Sequence, residues 1–448
     1  MLSNLDHPSP LTGATTMNEL TFTAVHALQI LDSRGHPTLR VTLTSRDGAV
    51  ATASAPSGAS TGAHEAIELR DGGPAYAGRG VESAVAGINT VIRELLLSRP
   101  WPSQRILDAA LCELDGTAEK SRLGANAVVA VSMAAARAFA TASGHPLHTW
   151  IGHSLGRAER LPVPHFNVLN GGAHAANPLA FQEFMIAPTG APTLPEAIRW
   201  GSEIYHALGA ALRHKGLSTG LGDEGGYAPE ISRPEEALEL ITAAISDAGY
   251  TPGTGGVSIA LDPAANYFYQ DGSYELNGRS YTPTQLTGYY EKLISEYPIR
   301  SLEDPLAEDD RPGWPELTAA LGRRVQVVGD DLFVTNPDRV RTGIAEAAAN
   351  AVLIKPNQIG TVTETLDTLT VADRGGFTAM VSHRSGETED TFVADLAVGS
   401  GCGQLKSGAP ARGERVAKYN RLLEIADAHP AMPYGPGTGP QETAARHD

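Results

Sequence analysis

Cys112 and Cys402 are the only cysteines in 448 residues. Two thiols cannot build a disulfide framework or a cysteine-based metal site, and so few fit a reducing compartment. Excess positive charge is lacking too. The formal net charge is −17, which argues against non-specific nucleic-acid binding. It leaves room for an anionic substrate where a site is locally basic or metal-bearing. No apolar run reaches the roughly 18 residues of a membrane span. The opening MLSNLDHPSPLTGATTMNEL has no basic segment followed by an apolar one, so it does not read as a signal peptide. Residues 1–18 read instead as a flexible extension, with Met17 a second candidate start. The expected location is the cytoplasm, with no membrane and no nucleic-acid partner.

Hydrophobic residues make up 42% of the chain and charged residues 19%, ordinary proportions for a folded protein. The length suits one large domain or two moderate ones. Leu39, Val41 and Leu43 alternate with Arg40, Thr42 and Thr44, a half-buried strand, and Asp47-Gly48 then suits a hairpin turn. From Val81 to Ala142 the pattern becomes helical and alanine-rich, clearest in NAVVAVSMAAARAFATA. Residues 19–150 are therefore expected to form an α+β domain. The polar, proline-punctuated WIGHSLGRAERLPVP marks a boundary. The Pro- and Gly-rich residues 431–448 read as a flexible tail.

Between those limits, residues 160–430 follow a different rhythm. Short apolar runs alternate with helical segments: VSIALD, IRSLEDP, RVQVVGDD, NAVLIKPN, FTAMVSH and GQLKSG. Between two of them, Val362, Leu366 and Leu369 share a helical face and Gly375 supplies a stop. The runs end on Asp262, Glu303, Asp330, Lys355, His383 and Lys406, the last five about 25 residues apart. That spacing suits a repeated strand–loop–helix–loop unit. Six such units predict a closed β/α barrel, whose active site lies at the C-terminal ends of its strands. An acid in that position by itself is readily the N-cap of the next helix. Lysine is not a capping residue, and burying an ammonium group without a partner is costly.

Asp262, Glu303 and Asp330 converging on one rim would need a cation to neutralise them. Oxygen ligands without thiolate favour a hard ion, Mg²⁺ by default, although three separate caps remain the plainer alternative. Lys355 and Lys406, near each other and a divalent cation, should have lowered pKa values, and such a lysine can act as a general base. Arg384 and Ser385 in VSHRSGETED offer phosphate donors, and the same stretch also reads as a helix start. Asp223 and Glu224 in GLGDEGGYAP could form a plain turn. NGGAHAANPLAFQEFMIAP contributes His174, Gln182 and Glu183. The small-residue loop PSGASTG is either a turn or a mobile lid.

ILDSRGHPT, PSGASTG, GANA, NGGAHA, QEFMIAP, GDEGGYAP, ALDPAA, LEDP, GDDLFVTNP, IKPNQIGT, SHRSGETEDTF and KSGAPARGERVAKYN occur in this order between about residues 24 and 425. This ordered set resembles the enolases, lyases that interconvert 2-phosphoglycerate and phosphoenolpyruvate. A lysine base beside Mg²⁺ is the known arrangement of the enolase superfamily, and the spacing alone does not derive it. The resemblance implies an α+β N-terminal domain on a barrel with two atypical early strands, a homodimer or homo-octamer, and a small phosphorylated substrate. It implies two Mg²⁺, the first on Asp262, Glu303 and Asp330, the second on Ser60. Lys355 would remove the C2 proton and Glu224 would protonate the departing hydroxyl, with Glu183 and His174 beside it. Gln182, His383, Arg384, Ser385, Lys406, Gly58 and Ala59 would contact substrate. His36, Asn266 and Gly413 depart from the usual motifs. They motivate a second reading, a paralogue acting on a phosphonate or another phosphoglycerate analogue. A third, a scaffold with vestigial catalysis, would have lost Lys355, Glu224 or a carboxylate ligand, and none is lost.

Overall fold

The computed structural model describes residues 19–59 and 62–435. The expectations for residues 1–18, for Ser60 as a metal ligand and for most of the C-terminal tail lie outside the described residues.

The N-terminal part starts with three antiparallel strands, β1 (Phe22–Leu31), β2 (Pro37–Ser45) and β3 (Val50–Ser54). Leu39, Val41 and Leu43 point inward and are buried, as their alternation predicts. The β2–β3 turn uses Gly48 at φ 86°, the left-handed region that costs a side chain most. Asp47 closes it by accepting the Ala49 N–H at 3.2 Å. Helix α1 (Gln104–Asp115) and helix α2 (Ala125–Ala142) follow, then α3 (Leu147–Leu155). Among the described residues α2 is the one helix long and apolar enough to cross a membrane, yet 83% of it is buried. It lies in the core, packed against β2 and β3.

The larger part is a closed eight-stranded barrel. In chain order its strands are β4 (Val163–Asn170), β5 (Glu183–Ala187), β6 (Ser258–Asp262), β7 (Ile299–Glu303), β8 (Gln326–Gly329), β9 (Ala351–Ile354), β10 (Thr378–Ser382) and β11 (Gln404–Lys406). Val328, Ala351, Leu353 and Met380 form their own small apolar cluster. Helices α4 (Leu194–His214) and α5 (Pro234–Asp247) both fall between β5 and β6. Single helices then separate most later strands: α6 (Pro283–Glu296), α7 (Gly313–Leu321), α8 (Pro337–Glu346), α9 (Val362–Arg374) and α10 (Phe392–Ser400), with α11 (Gly413–Ala428) after the last strand.

The two early strands break the parallel rule. β5 runs antiparallel to both β4 and β6, while the remaining pairs are parallel. A parallel return needs a crossover of a dozen or more residues, usually helical. Residues 171–182 are rich in Gly, Ala and Pro and form only a single tight turn at Gly172–His174, so no crossover helix runs back along the barrel. The reversal has a chemical consequence. Glu183 opens β5, and its partners are Asn170 at the end of β4 and Asp262 at the end of β6. The start of this strand therefore shares the rim with the C-terminal ends of its neighbours.

The two parts are tied together by charged contacts. Asp108 of α1 accepts the Thr363 N–H at 2.9 Å and Ser132 of α2 accepts the Val362 N–H at 2.9 Å, satisfying the amino end of α9. Arg137 of α2 makes two hydrogen bonds to Asp390 beside α10, at 2.8 and 2.7 Å.

Candidate active site

Each expected rim residue sits where its strand delivers it. Asp262, Glu303 and Lys406 are the last residues of β6, β7 and β11, while Asp330, Lys355 and His383 directly follow β8, β9 and β10. All six are buried, as are His174, Gln182, Glu183, Glu224, Arg384 and Ser385. One tight cavity brings together His174, Gln182, Glu183, Glu224, Lys355, His383, Arg384, Ser385 and Lys406.

Lys406 lies among three acids. Its Nζ is 2.7 Å from Glu303 Oε1, 3.2 Å from Glu183 Oε1 and 3.9 Å from Asp262 Oδ2. Lys355 donates to Asp330 Oδ2, and Gln358 Nε2 holds the other oxygen at 2.9 Å. Gln182 Nε2 donates to Asp262 Oδ2 at 3.2 Å. Burial and the neighbouring Glu303 push the Asp262 carboxyl well above its ordinary range. Burial likewise pushes Glu303 up to about 7, against the pull of Lys406. Asp330 goes the other way: burial would raise it, but Lys355, Lys406 and Arg384 together outweigh burial and lower it. In the protein alone, burial works to lower the Lys355 and Lys406 pKa values, but the carboxylates facing them win and hold both above the ordinary lysine range. The lowered values expected from sequence belong to lysines beside a divalent cation. Mutual repulsion between the two ammonium groups is the smaller effect.

Across the cavity stands a second group. His174 Nδ1 is 3.7 Å from Glu224 Oε1 and 3.9 Å from Glu183 Oε1, and Asn167 Nδ2 donates to Glu224 Oε2 at 2.9 Å. His383 Nε2 reaches the same oxygen at 3.3 Å. Burial and the Glu224 charge hold the Glu183 carboxyl above its usual range. Burial pushes His383 down to about 3, so its imidazole is neutral at neutral pH. The loop carrying Glu224 is more than a turn. A Cβ on Gly226 would lie 2.6 Å from Asn170 Oδ1 and 2.9 Å from the Leu169 amide, so glycine lets this loop press against the end of β4.

The N-terminal part closes the third side. Ala59 N–H donates to Ser385 Oγ at 2.6 Å. Ser57 and Gly386 exchange two backbone hydrogen bonds, both 2.8 Å, and Gly58 O accepts from Arg34 at 3.3 Å. Glu65 pairs with Arg384 at 2.9 and 3.1 Å. Gly58 and Ala59 are thus brought against the phosphate-type donors of the barrel.

The donor chemistry fits a hard divalent cation. Asp262, Glu303 and Asp330 are buried carboxylates with oxygen donors only, two of them held up in pKa by burial and by neighbouring acids. Among the described residues, the acid-containing groups whose ligand atoms close to within 4.8 Å are His174–Glu183–Glu224 and Asp304–Asp330–Asp331. Asp262 and Glu303 are spread more widely and share Lys406. Asp304 in LEDP and Asp331 in GDDLFVTNP have no role that the sequence alone points to. Asp304 accepts the amides of Asp330 and Asp331, each at 2.8 Å, and so anchors the turn that carries Asp330. Glu65, Asn167 and Arg415 were also missed. A loop glutamate, a strand asparagine and a helical arginine carry no local signal of convergence.

Residues 22–151 match the family model described as the N-terminal domain of enolase, and residues 158–434 match that of the enolase C-terminal TIM barrel domain. The chain belongs to the enolase family. An enolase of Acidothermus cellulolyticus is 56% identical over 402 residues, covering 90% of this chain and 93% of the relative. The barrel with its reversed second strand and the α+β part in front of it accord with the fold expected of an enolase.

Proposed function

We propose that this chain interconverts 2-phospho-D-glycerate and phosphoenolpyruvate, a carbon–oxygen lyase reaction of glycolysis and gluconeogenesis, with Lys355 as the base. The observation that carries the reading is one cavity in which Lys355 and Lys406 face Glu183, Glu224 and His174, with Arg384 and Ser385 at its edge. Arg384 and Ser385, closed over by Gly58 and Ala59, hold the phosphate. Gln182, Lys406 and His383 orient the remainder of the substrate. With Asp330 and its neighbours committed to a cation rather than to the ammonium, Lys355 would stand as the free amine, whose Nζ takes the C2 proton as the C2–H bond breaks. Negative charge then grows on the carboxylate oxygens, where Lys406 stands ready to meet it. The C3–O bond breaks next, and a proton from Glu224 lets the hydroxyl leave as water while the C2–C3 double bond forms. Burial favours the protonated form of Glu183 beside it.

Asp262, Glu303 and Asp330 would hold one Mg²⁺ and Ser60 a second, supplying positive charge that offsets these acids and stabilises the developing carboxylate charge. The domain division falls between residues 150 and 160, and the protein works in the cytoplasm as a homodimer or homo-octamer.

The phosphonate reading has no support in the structure. His36 is held by Arg79, 2.9 Å away, rather than in the cavity. Asn266 donates to Asp331 at 2.8 Å and accepts from Glu308 N–H at 2.9 Å, and Gly413 merely opens α11. A direct assay for phosphoenolpyruvate from 2-phosphoglycerate, with and without Mg²⁺, tests the assignment. Rapid Mg²⁺-dependent turnover is expected, and negligible turnover in metal-loaded protein would overturn it.

A further inference from the structure

Arg415, in the first turn of α11, is completely buried and is not one of the residues assigned above. Its guanidinium reaches both halves of the site. Nη1 donates to His383 Nδ1 at 2.5 Å and to Arg384 O at 2.6 Å. Nη2 donates to Ser385 O at 2.6 Å, to Asp223 O at 3.2 Å and to Ser33 Oγ at 3.5 Å. Glu414 Oε1 lies 3.3 Å from Nε and opposes the charge.

A guanidinium only donates. The N–H aimed at His383 Nδ1 therefore needs a lone pair there, which places the imidazole proton on Nε2. That nitrogen lies 3.3 Å from Glu224 Oε2, the oxygen that already accepts from Asn167 Nδ2 and so is not the one that carries the acid's proton. The contact does not close to a hydrogen bond, so Arg415 sets the tautomer and Glu224 is compatible with it. The charged groups around His383 are Glu224 from its loop, Arg415 from α11 and, further off, Lys406 from β11. Burial and the two cations keep the ring from taking a second proton, despite Glu224.

We propose that Arg415 is a positioning residue: it locks His383 as the neutral Nε2–H tautomer, with that N–H turned toward Glu224, and ties the Arg384–Ser385 backbone to that of Asp223. His383 then holds a static N–H and is not a proton carrier. The phosphate-binding loop and the acid-bearing loop are held in one register by one side chain. The proposal rests on the reading that Glu224 and Arg384 act on substrate.

The tautomer is measured first in the unmutated, Mg²⁺-loaded full chain by ¹⁵N NMR of histidine-labelled protein, with His383→Gln identifying the signal. A protonated Nε2 and bare Nδ1, unchanged from about pH 5.5 to about pH 8.5, is expected. A protonated Nδ1, or titration near the ordinary histidine value of about 6.5, overturns the proposal without any variant of Arg415. In Arg415→Met, kcat should fall about 100-fold through misplacement of the two loops, with a new acidic limb in its pH profile as His383 becomes titratable. Arg415→Lys, which restores charge but not the fork, should recover little. A folded Arg415→Met with wild-type kcat and pH profile overturns the role. Full turnover in Glu224→Gln would bring down the site assignment and the role of Arg415 with it. The wrong tautomer in a protein that Glu224→Gln inactivates would overturn the role of Arg415 alone.

Discussion

Glu65, carried by a loop of the N-terminal part, grips Arg384 of the barrel with two hydrogen bonds of 2.9 and 3.1 Å. Both side chains are almost fully buried. Glu65 also accepts from Gly62 N–H at 3.2 Å and from Gln358 at 3.3 Å, so one carboxylate joins the loop to the arm proposed to hold phosphate. Bidentate pairing fixes the plane of a guanidinium as well as its position. Glu65→Ala is therefore expected to raise KM for 2-phosphoglycerate about tenfold, equivalent to about 1.4 kcal/mol of binding, with a smaller change in kcat. Steady-state kinetics check it, and an unchanged KM would remove the orienting role.

Lys355 is the residue whose loss should stop the chemistry. Lys355→Ala is expected to lower C2 proton exchange by about a thousandfold, within the usual range for a general base. Exchange is followed with C2-deuterated substrate, so the step is read apart from product release. Circular dichroism shows whether the variant is folded, because Asp330 loses its ammonium partner. Near-normal exchange in folded protein would move the base elsewhere.

Magnesium should leave a signature independent of turnover. A ligand that binds only the folded state raises the melting temperature by mass action. Chelation is expected to abolish activity and lower Tm, and added Mg²⁺ to restore both. In Asp262→Asn, which keeps the shape but removes a charge, the Mg²⁺-dependent rise in Tm should be lost. A full rise in that variant would exclude Asp262 as a ligand.

Much of the rim was legible because a β/α barrel repeats one physical unit. Lys355 ends the apolar run Ala351–Ile354, and an ammonium there calls for partners that only neighbouring strands could provide. The strand order of Glu183 was not legible in that way. EFMIA is apolar and short, and nothing in its period tells parallel from antiparallel. The deciding feature was a connection, residues 171–182, rich in Gly, Ala and Pro that builds no crossover helix. That Lys355 and Lys406 share a rim with Asp330 and Glu303 was visible along the chain, whereas the direct contacts of Lys355 with Asp330 and of Lys406 with Glu303 and Glu183 were not. Arg415 stayed hidden for a similar reason. An arginine in GERVAKYN reads as the solvated face of a helix, and only packing of α11 against two loops buries it.

The Arg137–Asp390 pair links the N-terminal helix α2 to the barrel, and its energetics can be read by pH. Burial alone would raise the Asp390 carboxyl, but Arg137 and the amides of Phe392 and Ser54 outweigh it and lower the pKa. A carboxyl whose folded pKa is depressed stabilises the fold above its unfolded value, about 3.9. That stability is lost as pH falls through the folded value. The side chains are 22% and 11% exposed, so the pair sits between a surface bridge and a fully buried one. Asp390→Asn is expected to cost about 2 kcal/mol at pH 7. Urea melts across pH measure the difference from wild type, which should shrink once pH drops below about 4. A gap that stays constant into acid would mean that the loss comes from packing or the Ser54 amide contact and not from the charge.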